Sequence, residues 1–89
     1  MNILEIKEEE VFELDIHNMN RREAEFYLKL SLDNLSKQYK EVKVIHGYHR
    51  GKALLEMVRE RFNHPKLETK LISINPGLTS LFIKDEYLS

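Results

Sequence analysis

Residues 11–23 read VFELDIHNMNRRE, a predicted β-strand that leads into the start of a predicted helix. Apolar and polar residues alternate up to His17, which is the period of a half-buried strand. Asn20 then opens a capping box, because its side chain can accept the backbone N–H of Glu23 while the Glu23 carboxylate reaches back. Apolar residues recur at helical spacing beyond this box, and we expect the helix to end near Tyr39.

The rest of the chain is predicted to form one more helix and three more strands. The strands are residues 41–46, 68–74 and 80–84, and the helix is 52–62. Between the last two strands, Asn75-Pro76-Gly77-Leu78 suits a type II turn with Pro76 and Gly77 at its centre. The order of elements is therefore β-α-β-α-β-β.

This order predicts a fold of the α/β class, built as a two-layer α+β sandwich. Helices that alternate with strands imply parallel strand pairs joined by right-handed crossovers, and the final hairpin adds one antiparallel strand. Two helices cover one face of the four-stranded sheet, and we expect Val11, Ile45 and Phe82 on the other face. The expected core includes five apolar positions: Leu14, Leu28, Val44, Val58 and Ile83.

The composition fits one small domain without covalent cross-links. The 89 residues are 42% hydrophobic and 33% charged, which excludes a disordered chain. The absence of cysteine excludes disulfides and thiolate chemistry, and it favours the cytoplasm because small secreted domains usually depend on disulfides. The start MNILEIKEEE lacks the features of a signal peptide, and no apolar run is long enough for a membrane span. We assign 1–10 to an N-terminal extension, 11–84 to the domain and 85–89 to a C-terminal tail.

Charge is distributed unevenly along the sequence. Residues 1–36 carry four Lys or Arg against nine Asp or Glu, whereas residues 37–70 carry nine Lys or Arg against four Asp or Glu. The basic middle segment also holds three of the four histidines. It is a candidate anion-binding surface, although a solvated helix face gives the same counts.

Chemically active residues gather where the first two predicted strands end. If these strands are parallel neighbours, Asp15, His17 and His46 lie at one edge of the sheet, where open α/β sheets bind ligands. A glycine-containing turn then leads into the second helix, whose free N–H groups favour an anion. The residues predicted to bind phosphate are Gly47, Tyr48, His49, Arg50, Gly51 and Lys52.

This arrangement suits phosphodiester chemistry. A histidine serves as general acid or base near neutral pH, a carboxylate orients it, and N–H groups and cations stabilise developing charge. Asp15, His17 and His46 are therefore the candidate catalytic residues. Two alternatives remain open: the histidines only terminate strands, or they join Asp15 as ligands of a divalent metal with His49 as a spare ligand. Strict alternation also places His17 and His46 on opposite faces of the sheet.

Two segments resemble the motifs of the Smr domain, the small MutS-related domain. LDIHNM at Leu14–Met19 is similar to its opening LDLHGM, and VIHGYHRG at Val44–Gly51 is similar to its IIHGxGxG. Further resemblance lies in Lys52–Leu55, Met57–Arg59, His64-Pro65 and the final NPG…T…LFI pattern. The resemblance spans residues 11–84. It implies the sheet order 1-2-4-3 with strand 4 antiparallel, as in the C-terminal domain of a bacterial translation initiation factor.

The resemblance also implies nucleic-acid binding and, as in several relatives, endonuclease activity on DNA or RNA. The settings of those relatives imply the ribosome or a larger repair protein as further partners, and the lack of a long apolar run predicts no membrane partner. By motif match, Asp15 and His17 take the DLH positions, and His46 takes the HG position together with the glycine that follows it. Asn18 and His49 stand where the motifs have glycine. A binding module without chemistry and a protein-interaction domain that uses the open sheet face are the alternative functions.

Overall fold

A computed structural model describes residues 5–49 and 51–89. Its strands are β1 (Val11–Asp15), β2 (Glu41–Ile45), β3 (Leu67–Ile72) and β4 (Leu78–Ile83). Its longer helix is α1 (Arg21–Asp33), and the second helical segment is α2 (Ala53–Glu56), which continues as a π-helix over Met57–Arg61. Single 3-10 turns lie at Glu8–Glu10 and Asp85–Tyr87. No helix among the described residues has the length and apolar character needed to cross a bilayer.

The sheet order is β1-β2-β4-β3, which confirms the predicted topology. β1 runs parallel to β2, and β4 is antiparallel to both β2 and β3. The register pairs Leu14 with Val44 across β1 and β2, and Val44 with Thr79 across β2 and β4. The carboxyl ends of β1 and β2 are therefore level, and the start of β4 lies beside them.

The core lies between the sheet and the helices. All five predicted core residues are buried: Leu14, Leu28, Val44, Val58 and Ile83. On the other face Val11 and Ile45 are only partly buried, but Phe82 is 1% exposed. Phe82 lies in β4, paired with Glu41 of β2 and Thr69 of β3.

α1 begins with the predicted capping box but ends six residues earlier than the prediction near Tyr39. The last carbonyls of α1 are bound by side chains: Lys66 Nζ donates to Leu32 O at 2.8 Å and to Asp33 O at 3.2 Å. These bonds stabilise the helix end in place of a further turn. The Tyr39 ring packs instead against Phe12, with ring centroids 5.2 Å apart.

The prediction of a type II turn between β3 and β4 is wrong. Such a turn requires a positive φ at Gly77, but among the described residues only Gly47 and Gly51 have one. The space beside Gly77 is limited: an added Cβ would lie 3.3 Å from Asn75 Oδ1 and 3.4 Å from Gly47 Cα. The β3–β4 turn is thus packed directly against the chain that follows β2.

The burial of Leu14 predicts a large loss of stability on truncation. Leu14→Ala should lower the free energy of unfolding by about 2–4 kcal/mol, because a cavity replaces the side chain in the core. Leu71→Ala is the matched control, since Leu71 is 49% exposed, and it should cost about 1 kcal/mol or less. Urea unfolding followed by circular dichroism measures both values. Equal losses for the two variants would contradict the strand register.

Candidate functional site

A cleft of about 660 Å³ opens where β1 and β2 end. Its walls are the loops that follow these strands and the first residues of α1 and α2, and we call it the strand-end cleft. The two strands end at Asp15 and Ile45, earlier than predicted, so His17 and His46 lie just beyond the sheet. Both histidines line the cleft.

Asp15 and His17 form a hydrogen-bonded pair. Asp15 Oδ1 accepts the backbone N–H of His17 at 3.1 Å and the ring Nδ1–H at 2.5 Å. These two bonds hold the pKa of the Asp15 carboxyl below its usual value, with the bond from the imidazole ring as the larger cause. Both side chains are about half exposed. No described residue hydrogen-bonds His17 Nε2, so this nitrogen remains available to a ligand.

His46 has a different environment, because it is only 2% exposed. Its Nδ1–H donates to Gly47 O at 2.9 Å, and its Nε2 accepts the Thr79 hydroxyl at 2.8 Å. Burial lowers the pKa of His46, and the charge of nearby Arg59 acts in the same direction. His46 is therefore neutral at pH 7, and both of its ring nitrogens are bound within the fold.

The turn after β2 supplies most of the other predicted site residues. Gly47 and Gly51 have φ values of +70° and +113°, a region that disfavours residues with a Cβ. Tyr48 and His49 are exposed, with ring centroids 4.3 Å apart. These four residues line the strand-end cleft.

The two predicted cationic contacts have different outcomes. Lys52 is exposed at the N-cap of α2, between two residues that line the cleft. Arg50 lies outside the described residues. Arg21, which sequence reasoning did not select, lines the cleft from the start of α1.

The structure does not form a metal-ligand cluster from Asp15, His17 and His46. Among residues 5–49 and 51–89 no group of three or more His, Asp or Glu side chains is arranged to hold a metal ion. Asp15 is bound to the His17 ring, and both His46 nitrogens already have partners.

Sequence reasoning missed three residues that support the site. Gly77 O accepts the backbone N–H groups of His46 and Gly47, each at 3.0 Å. Thr79 binds the His46 ring, and Arg59 Nε donates to Thr79 Oγ1 at 2.8 Å. All three lie in segments that resemble Smr motifs, but nothing in those segments shows what each residue contacts.

Comparison with protein-family models matches residues 14–73 to the Smr domain. The match covers more than half of the chain and includes both strand ends and the turn that follows β2. Comparisons with curated proteins and with solved structures gave no match.

The buried, neutral His46 predicts a loss of stability in acid. A histidine in the unfolded chain takes up a proton near pH 6.5, whereas the lowered pKa of folded His46 delays protonation. The contribution of His46 is thus complete above about pH 6.5, and it is lost as the pH falls below that value. His46→Gln keeps an acceptor for Thr79 but does not titrate, so its melting temperature should fall less than that of the parent between about pH 7.5 and about pH 5.5.

The control for this measurement is His49→Gln. His49 is exposed and lies outside the Thr79 network, so this variant should keep the pH dependence of the parent. An unchanged pH dependence in His46→Gln would show that another group causes the acid sensitivity.

Proposed function

Because this chain belongs to the Smr domain family, we propose that it binds nucleic acid at the strand-end cleft and cleaves a phosphodiester bond there. The Asp15–His17 pair is the observation that carries this proposal. It combines a fixed imidazole proton on Nδ1, an available Nε2 and exposure to a cleft. Such a pair is a means of general acid–base catalysis near neutral pH.

The proposed reaction moves one proton through His17. Nε2 removes a proton from the attacking oxygen as that oxygen adds to phosphorus, and the resulting imidazolium returns a proton to the leaving oxygen as the P–O bond breaks. Asp15 stabilises the imidazolium through the Nδ1–H bond and keeps the ring oriented. Asp15 thus acts through His17.

Positive groups near the cleft support phosphate binding. Arg21 and Lys52 lie at the starts of α1 and α2. Gly47 and Gly51, in the turn between β2 and α2, allow the backbone to approach a phosphate closely. N–H groups and cations at this position would stabilise the charge that develops on the phosphate oxygens. Tyr48 is exposed beside them and offers a ring face to a base.

His46 is assigned a supporting role in this proposal. A general acid or base must reach the proton that it transfers. Both His46 nitrogens are engaged inside the fold, so we place catalysis on Asp15 and His17 and assign His46 to the support of Gly47.

The second candidate is a binding module that does not cleave. It is favoured by Asn18 and His49, whose side chains occupy a cleft wall where the motifs have glycine. DNA, RNA, the ribosome and a larger repair protein are all partners compatible with such a module, and the experiments below use nucleic acids of each type.

Cleavage and binding should separate in Asp15→Asn. The variant keeps the shape of the side chain but removes a negative charge that repels phosphate. It should therefore bind oligonucleotides at least as well as the parent while cleaving them at least about a hundredfold more slowly. Fluorescence anisotropy measures binding, and gel analysis of end-labelled single-stranded RNA, single-stranded DNA and duplex DNA measures cleavage.

Asp33→Asn is the matched control. It alters the other Asp–His pair, in which Asp33 accepts a bond from His64 at 2.7 Å. Asp33 lies about 18 Å along α1 from the cleft, so cleavage should match the parent. The same purification exposes both variants to the same contaminating nucleases. If Asp15→Asn cleaves as fast as the parent, the binding module is the better account.

Binding should depend steeply on salt. Each phosphate neutralised by a cation releases counterions, so Lys52→Ala should reduce the slope of log affinity against log salt by about one. Lys37→Ala removes the same charge beyond the far end of α1 and should leave the slope unchanged. If none of the three nucleic acids binds at low salt, the proposal fails and a protein partner on the open sheet face becomes the leading alternative.

A further inference from the structure

We propose that Arg59 is a positioning residue for the strand-end cleft, acting through Thr79 and His46 on the backbone at Gly47, which lines the cleft together with His17. The inference deepens the proposed function, and its effect on cleavage rests on that function. The effect of Arg59 on the geometry of the turn after β2 does not rest on that function. Arg59 belongs to the π-helical segment Met57–Arg61, a type of irregularity that is frequent at functional sites.

Three hydrogen bonds connect Arg59 to the turn. Arg59 Nε donates to Thr79 Oγ1 at 2.8 Å, the Thr79 hydroxyl donates to His46 Nε2 at 2.8 Å, and His46 Nδ1–H donates to Gly47 O at 2.9 Å. This series of hydrogen bonds runs from the second helical segment through β4 to the loop after β2. No described side-chain N or O atom is both buried and without a partner, so each of these atoms is satisfied.

The groups at the two ends of this series of hydrogen bonds allow only one arrangement of its protons. Arg59 only donates, and the carbonyl of Gly47 only accepts. The neutral His46 ring must therefore carry its proton on Nδ1, toward Gly47 O, and must accept at Nε2. Thr79 has one hydroxyl proton to give to Nε2, and its oxygen is free to accept from Arg59. By donating to the Thr79 oxygen, Arg59 thus favours the orientation in which the Thr79 hydroxyl proton points to His46 Nε2. That orientation selects the Nδ1–H tautomer of His46.

Arg59 supports the same turn by a second route. Its Nη2 donates to Leu78 O at 2.8 Å, which fastens the first residue of β4 to the helical segment. Gly77, the turn residue directly before Leu78, accepts the backbone N–H groups of both His46 and Gly47. One guanidinium therefore holds the side chain of His46 through Thr79 and stabilises the turn that binds the His46 backbone.

Gly47 brings this support to the part of the cleft beside His17. A Cβ placed on Gly47 would lie 3.5 Å from His17 Cβ, an ordinary van der Waals distance, so the two residues are neighbours and the glycine leaves space between them. Both residues line the strand-end cleft, and Asp15 holds the His17 ring through Nδ1. A shift of Gly47 would change the cleft wall beside the proposed acid–base residue. Misplacement by about 1 Å is enough to lower a rate by up to about a hundredfold.

Arg59 has a role distinct from that of a simple cation. Among the described residues it has no carboxylate partner, and its acceptors are the Thr79 hydroxyl and backbone carbonyls. A lysine at this position would keep the charge but lose the planar fork that reaches Thr79 and Leu78 together. Arg59→Lys therefore separates positioning from charge.

The test compares Thr79→Val, which removes the hydroxyl at nearly constant shape, with Thr79→Ser, which keeps it. Thr79→Val and Arg59→Lys should lower kcat about tenfold or more with KM within about twofold of the parent, whereas Thr79→Ser should restore the parent kcat. Arg61→Lys, an exposed arginine of the same segment, is the control and should not change kcat. Thermal unfolding shows that each variant is folded, and Arg59→Lys keeps the test available if Thr79→Val does not fold.

A second readout does not require cleavage. Nitrogen-15 NMR of the histidine rings should show a single Nδ1–H tautomer for His46 in the parent and in Thr79→Ser. In Thr79→Val the His46 ring should lose that single state, and the Gly47 amide and the His17 ring signals should shift. If the parent does not cleave, the proposed function fails, and these signals still decide the positioning role. Parent-like signals of Gly47 and His17 in both Thr79→Val and Arg59→Lys, or a parent-like kcat in both, would overturn the inference.

Discussion

The parallel register of β1 and β2 is the constraint on which the strand-end cleft depends. It pairs Asp15 with Ile45, and the backbone ladder continues one residue further, where Ile16 N–H binds Ile45 O at 2.9 Å. Ile16 is fully buried, and the side chain of the next residue, His17, is about half exposed. His17 is therefore exposed next to the end of β2, where His46 lies in the interior of the fold. A slip of one residue would exchange the buried and exposed positions of β1.

His17 and His46 are the same residue type, but their different environments suit them to different roles. His17 is half exposed, and its ring is hydrogen-bonded to the Asp15 carboxylate. His46 is buried between a hydroxyl and a carbonyl, an environment that favours the neutral ring. An imidazole has one donor and one acceptor when neutral, and His46 uses both in the fold. In the proposed function, proton transfer is therefore assigned to the Asp15–His17 pair.

The sequence predicted features that depend on neighbours in the chain. The capping box of α1 needs only Asn20 and Glu23, and the alternation in β1 is visible within seven residues. The sheet order followed from the resemblance to a family with a known fold. The end of α1 has a local signal that was missed, because its C-cap residue Asn34 donates to Leu30 O at 2.9 Å. It also has a distant one, since Lys66 binds the last carbonyls from more than 30 residues away. The role of His46 was not predictable, because it depends on Thr79, a distant residue in the sequence.

The departures from the family motif affect the cleft more than the fold. A glycine is required by backbone conformation where φ is positive, and in the described residues no residue other than glycine has a positive φ. Asn18 and His49 therefore take the places of motif glycines without backbone strain. Their side chains line the strand-end cleft beside His17, so they change the space and the hydrogen-bonding groups offered to a ligand. In the proposed function the two substitutions bear on which nucleic-acid segment the cleft accepts, and the Asp15–His17 hydrogen bond is formed with both of them in place.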